Sequence, residues 1–228
     1  MKNIINIFFA PTKVFQDLKE KPVWLVPLVI ILVVGVLIAV LTVVSTRDIA
    51  ATQQEEALRA RGMTEEQMAQ ARTFMKGPGP AIFGGIGALI VMTGILLLFS
   101  LIVNVLIPPL GGTGNFKKVF CVITHAGLVR VPGDIIRFIL MLVTKSIYAT
   151  TSLAAFAPGL AKTGALYRLL SQLDIFVLWE MILIAMGISI TNDLKKNNAY
   201  YLVFGIWLFT VLLSVLLGGL FSPRVSVQ

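Results

Sequence analysis

The sequence predicts an all-α integral membrane protein with five transmembrane helices, the N-terminus cytoplasmic and the C-terminus outside. Three observations carry this. The chain is 57% hydrophobic and only 13% charged, whereas a soluble domain is near half apolar and a quarter charged. The apolar excess comes in long runs, long enough to cross a hydrocarbon core of about 30 Å. Lys and Arg flank those runs and form no stripe on a soluble face. The net charge of +8 therefore marks anchors at the membrane interface and does not point to a nucleic-acid partner. The single cysteine, Cys121, excludes an intrachain disulfide framework.

Residues 1–21 carry four lysines, and Val14, Phe15 and Leu18 share one helical face behind Pro11. This predicts an amphipathic segment lying on the bilayer surface. Residues 22–228 then read as one transmembrane domain. Its first span, 22–45, contains no charge and ends at Arg47 and Asp48. The loop at 46–80 holds five basic and five acidic residues. Within it, Thr64 and Gln67 form a capping box with Met63 and Met68 as the staple. Two short helices are expected, at 48–61 and 65–76, stopped by GPGP at 77–80. Such a pair reads as a partner-docking element or as a solvated connector.

The second span is 81–107, with Gly84, Gly87, Ala88 and Gly94 permitting close helix approach. GGTGNFKK at 111–118 lacks the spacing of a phosphate loop and reads as a tight turn with basic anchors. The third span is 119–144. A mildly apolar loop at 145–171 is expected to skim the interface. The fourth span is 174–190 and the fifth 200–221. With the N-terminus inside, eight basic residues face inward and nine outward. The count alone does not orient the chain, but the inner charges crowd the span ends in short loops, which favours that orientation. Asp17-Leu18-Lys19 before the first span resembles Asp193-Leu194-Lys195 before the fifth.

The order of these features resembles the Yip family of membrane proteins, named for Ypt/Rab-interacting proteins. The resemblance rests on FFAPTKVFQDLKEKPVWLVPL, on GGTGNFKK running into VFCVITHAGLVRVPGDII, and on LDIFVLWEMILIAMGISITNDLKKNNAYYLV. It implies five transmembrane helices and a cytoplasmic N-terminus. For eukaryotic members it also implies work with small GTPases in vesicle traffic. The chain lacks their DLYGP-type motif, so a small GTPase partner is not expected and the bacterial branch is the better match.

The third span poses a chemical problem. It contains Arg130, Asp134 and Arg137. Arg130 lies about 18 Å along the helix from Lys118, and Arg137 about 12 Å from Lys145. A charge at such depth costs roughly 2.5–3.5 kcal/mol on insertion scales. Spacings of i,i+4 and i,i+3 let the three share a face, one anion short of neutrality. Glu180, the sole acid inside another span, supplies it. The depths predict Arg137 paired with Glu180 and Arg130 with Asp134, and Pro132–Gly133 predicts a helix break among them. The cluster reads as a structural lock or as a functional polar cavity.

His125, one turn below, with Asn104 on span two, is a candidate polar relay. Asn104 also reads as an interhelical hydrogen bond. Cys121 and His125 supply only two ligands, so no metal and no cofactor are expected.

No G-x-S-x-G, H-E-x-x-H or Asp-rich motif appears, so a non-enzymatic protein is expected. The leading functional expectation is a multi-pass protein of the inner (plasma) membrane, a non-catalytic subunit that organises or assists a larger assembly in transport or trafficking. Its expected partners are the bilayer and other membrane proteins, an export complex among them, or further copies of itself. The alternative is a small transporter or channel using a polar cavity around Arg130, Asp134, Arg137 and Glu180.

Overall fold

A computed structural model of the chain describes residues 2–60, 63–161 and 164–220. Among these residues the regular elements are helical, and the extended contact is an isolated antiparallel bridge between Ser152 and Asp174. The N-terminal segment is two helices, α1 (Lys2–Phe9) and α2 (Pro11–Glu20), with Pro11 in the first turn of α2. The apolar face of α2 is as read, but it does not lie in lipid. Val14, Phe15 and Leu18 are buried in the protein, against α6 (Phe116–Gly127) and α9 (Ile175–Thr191). Gly187 permits this. A Cβ there would stand 2.5 Å from Val122 Cγ1 and 2.8 Å from Phe15 Cε1.

The first span is longer than its apolar run. The helix α3 (Leu25–Ala60) continues unbroken for 36 residues, about 54 Å, although its apolar stretch ends at Arg47. The separate short helix expected at 48–61 is therefore an extension of the span, with residue 61 outside the described residues. Arg and Asp end an apolar run but do not stop a helix, because neither breaks the backbone pattern. The next helix, α4 (Glu65–Lys76), follows the sequence closely. Thr64 Oγ1 accepts from Gln67 N, and Gln67 Oε1 accepts from Thr64 N at 3.0 Å. Met68 is buried, but its expected staple partner Met63 is 38% exposed.

GPGP opens the next helix as well as closing α4. The helix α5 (Gly79–Leu106) begins inside it. A Cβ at Gly79 would stand 2.6 Å from Phe74 Cε2, and Phe74 lies 6.2 Å from Phe83, ring to ring, so α4 is stapled to the base of α5. Close approach of α3 and α5 uses Gly85, whose added Cβ would stand 2.9 Å from Val40 Cγ2, and Gly84, 3.2 Å from Val43 Cγ2. Gly87 and Gly94 have open space there, so these two are not the contact the small-residue pattern suggested.

The core sits around α6. Every residue from Val119 to Gly127 is buried, and α1, α2, α3, α5 and α9 all touch this helix. Its polar side chains bond within the helix, as burial demands. Thr124 Oγ1 donates to Phe120 O at 2.9 Å, and His125 Nδ1 lies 2.8 Å from Cys121 O. The last helix, α10 (Lys196–Leu220), packs on α9. Among the described residues three helices are long and apolar enough to cross a membrane: α3, α5 and α10. The helix α9 is a shorter apolar helix of 17 residues, largely buried by its neighbours.

One end of the bundle is knitted by its turns. Thr113 N donates to Asn192 O at 2.8 Å, and Asn198 Nδ2 donates to Leu110 O at 2.9 Å. Gly111 adopts φ +88°, the left-handed region that glycine tolerates. The two Asp-Leu-Lys triplets meet here. Lys19 Nζ lies 2.5 Å from Asp193 Oδ1, while Leu18 and Leu194 are both buried. The ammonium of Lys19, bonded to Asp193, holds that carboxyl below the ordinary aspartate value.

Two predictions follow from this packing. Gly187→Ala lowers Tm in detergent, by overpacking of about 1–3 kcal/mol, whereas Gly94→Ala leaves it unchanged or raises it. Asp193 is depressed in the folded state, so its contribution is present above the unfolded aspartate pKa near 3.8 and fades as pH falls through the folded value. Tm measured down the acid range should lose this component in Asp193→Asn. The pair is exposed, so the loss is no more than about 1 kcal/mol.

Candidate functional site

The third span is two helices. After α6 the chain takes a tightened turn and resumes as α7 (Arg130–Thr144). The step uses i to i−3 bonds: Leu128 N to His125 O, Val129 N to Ala126 O, and Val131 N to Leu128 O, at 3.1–3.2 Å. Pro132 is the cause. It has no N–H for the carbonyl of Leu128, four residues back, and its ring crowds that carbonyl. The break therefore lies at Leu128–Val129, not at Pro132–Gly133 as expected from the sequence. Pro132 and Gly133 belong to the first turn of α7. Gly133 serves another purpose, because a Cβ on it would stand 2.5 Å from Phe176 Cδ2. It lets α7 press onto α9.

This step decides which cation meets the buried carboxylate of Glu180. Arg130 Nη1 lies 3.6 Å from Glu180 Oε2, an ion pair slightly beyond hydrogen-bond length. The carboxylate is 8% exposed and the guanidinium 48%. Gly127 lies beside the carboxylate: an added Cβ would stand 3.0 Å from Ile31 Cδ1 and in ordinary contact, 3.5 Å, with Glu180 Oε1. The expected pairing was the other way round. Among the described residues Arg137 forms no ion pair with Glu180, and Arg130 forms none with Asp134. Depth along the spans ranked the partners wrongly because rotation at the break turns Arg130 towards α9. The four residues do gather: Arg130, Asp134, Arg137 and Glu180 line one cavity together.

That cavity has a volume of about 470 Å³ and, apart from Thr42, is otherwise apolar, with Ile31, Val34, Ile38, Met92, Phe138 and Met141 on its walls. A second, polar crevice of about 380 Å³ adjoins it, also lined by Arg130, Asp134 and Arg137. Its other walls include Thr150, Thr151, Tyr167, Ser171 and Gln172. They come from the loop at 145–171, which folds into a short 3-10 turn (Leu153–Phe156) and α8 (Ala165–Gln172). Asp174 anchors the crevice. Its Oδ1 accepts from Phe176 N and Val177 N at the start of α9, and its Oδ2 accepts from Thr151 Oγ1. The sequence reading missed Thr151 and Asp174 as site residues. An aspartate opening an apolar helical run is a legible N-cap signal, but its bond to a loop threonine is not local.

The candidate relay is not assembled. The bond of His125 goes to Cys121 O. The side-chain oxygen of Asn104 is buried without a hydrogen-bond partner among the described residues, so it is not the interhelical bond expected of it. His125 instead reaches the floor of a third cavity, about 870 Å³, under Lys19, Glu20 and Lys21 of the N-terminal segment.

A helical bundle with three membrane-length helices and a charge pair at a helix break defines an all-α integral membrane protein. A family model, the Yip1 domain, matches residues 5–218, and the chain belongs to the Yip1 family. It is 28% identical over 224 residues to membrane protein YknW of Bacillus subtilis (strain 168), across 95% of this chain and 91% of that one. No solved structure matches it. The resemblance read from the N-terminal, glycine-turn and fourth-span motifs is thus established at the level of the family.

Arg130→Gln leaves a buried carboxylate without its cation and should destabilise the protein by about 2–5 kcal/mol, read as a fall in detergent Tm. Arg137→Gln should change ligand-free stability by less than about 0.5 kcal/mol. The pairing expected from depth predicts the reverse order.

Proposed function

We propose that this Yip1-family chain is a five-pass protein of the bacterial plasma membrane, with its N-terminus cytoplasmic and its C-terminus outside. In this reading it is a non-catalytic subunit that organises or assists a larger membrane assembly in transport or trafficking. The observation that carries the reading is the arm formed by α3 and α4. The helix α3 extends 13 residues past its apolar stretch, about 20 Å. Beside it α4 buries only Met68 among its own residues. The sequence of the extension carries Asp48, Glu55, Glu56 and Arg59, and α4 exposes Glu65, Glu66 and Gln70; polar helical faces of this kind suit a bridging or docking role.

The charged cleft supports a second reading, a small transporter or channel working through Arg130, Asp134, Arg137 and Glu180. An intramembrane ionisable cluster beside a helix break fits that role.

Affinity purification in mild detergent separates the two. The assembly reading expects a stoichiometric membrane partner, lost when the exposed α4 residues Glu66 and Gln70 are changed to Lys. A homo-oligomer with no partner, or a partner indifferent to those changes, contradicts it.

A further inference from the structure

The apolar cavity and the polar crevice share Arg130, Asp134, Arg137, Ile147 and Ala149. They form one cleft with a polar mouth and an apolar arm. Each part falls in the range of about 300–1,000 Å³ typical of small-molecule sites, where apolar walls hold the ligand and a few polar groups orient it.

The charges in the cleft are unequally satisfied. Glu180 is paired with Arg130. Asp174 is held by the Thr151 hydroxyl and by two backbone N–H groups of α9. Asp134 and Arg137 have no hydrogen bond or ion pair among the described residues. These two differ chemically. A carboxyl can take up a proton and become neutral, whereas a guanidinium keeps its charge at any accessible pH. Arg137 therefore keeps an obligate charge and unbonded guanidinium donors, with the Asp134 carboxyl within electrostatic reach one turn back on α7. It stands where the apolar arm meets a mouth lined by Thr150, Ser171 and Gln172.

We propose that this cleft binds an acidic amphiphile. Its hydrocarbon chain lies in the apolar arm between α3, α5 and α7, and its carboxylate or phosphate head rests against the Arg137 guanidinium. Charge complementarity selects the head, because the Arg137 guanidinium is exposed and its N–H donors are free to meet an anion. Planar guanidinium geometry suits a carboxylate or phosphate in two-pronged contact. The inference goes beyond the assembly reading and does not depend on any partner being found.

The test uses the full chain in dodecyl maltoside, with Tm followed across titrations of three probes. Oleate carries chain and acid, oleyl alcohol the chain alone, and acetate the acid alone. Oleate should raise Tm saturably, and the other two should not. Arg137→Gln should weaken oleate at least about tenfold, the scale of one charged hydrogen bond, while Arg137→Lys retains part of the binding. Ala39→Phe, which fills the apolar arm, should abolish the shift. Equal shifts from oleate and oleyl alcohol would overturn the assignment as non-specific chain uptake. So would a full shift from acetate alone, or Arg137→Gln binding oleate as the parent does. The comparison of probes on the unmodified chain holds even if a variant folds poorly.

Discussion

The ion pair between Arg130 and Glu180 is the constraint from which the geometry of the bundle follows. A carboxylate as buried as that of Glu180 needs a cation, and the guanidinium that meets it belongs to a different helix. The pair fixes both the depth and the rotation of α7 against α9. Three residues make that possible. Pro132 denies a hydrogen bond to Leu128 and forces the tightened step. Gly127 lets α3 approach through Ile31, and Gly133 lets α7 close onto Phe176. None of the three is charged, yet each determines where a charge can sit.

The opposite end of the bundle is held differently. There the contacts are short turns bonding to one another: Thr113 to Asn192, Asn198 to Leu110, and Lys19 to Asp193. The exposed Lys19–Asp193 pair adds little energy by itself. Its effect is positional, because it ties α2 over α6 and α9, where Val14, Phe15 and Leu18 complete the core. The molecule therefore has a tied end and an end opened by the charged cleft. The long arm of α3 and α4 lies outside both.

Local signals in the sequence were the most legible. The apolar runs located α5, α9 and α10 to within a few residues, and Thr64 and Gln67 located the start of α4. Each depends on neighbours a few positions away. Four features were not legible, for separate reasons. Lipid and protein select the same apolar face, so the burial of α2 was hidden; the telling residue, Gly187, lies far along the chain. Arg47 and Asp48 mark the edge of an apolar run without breaking a helix, so the length of α3 was underestimated. A tightened turn advances about 120° per residue where an α-helix advances about 100°. That difference over the step at Leu128–Val129 redirects Arg130, and no measure of depth reveals it. Finally, the polar mouth of the cleft depends on Thr151 meeting Asp174 across a loop, which no spacing predicts.

Arg130 and Glu180 interact directly and hold α7 to α9. A double-mutant cycle on Arg130→Gln and Glu180→Gln, measured by unfolding in mixed micelles, tests it most directly. The account predicts a coupling energy of about 1–3 kcal/mol for this pair, and about zero when Arg137→Gln replaces Arg130→Gln. Additive effects for Arg130 and Glu180, with coupling appearing instead between Arg137 and Glu180, would contradict it.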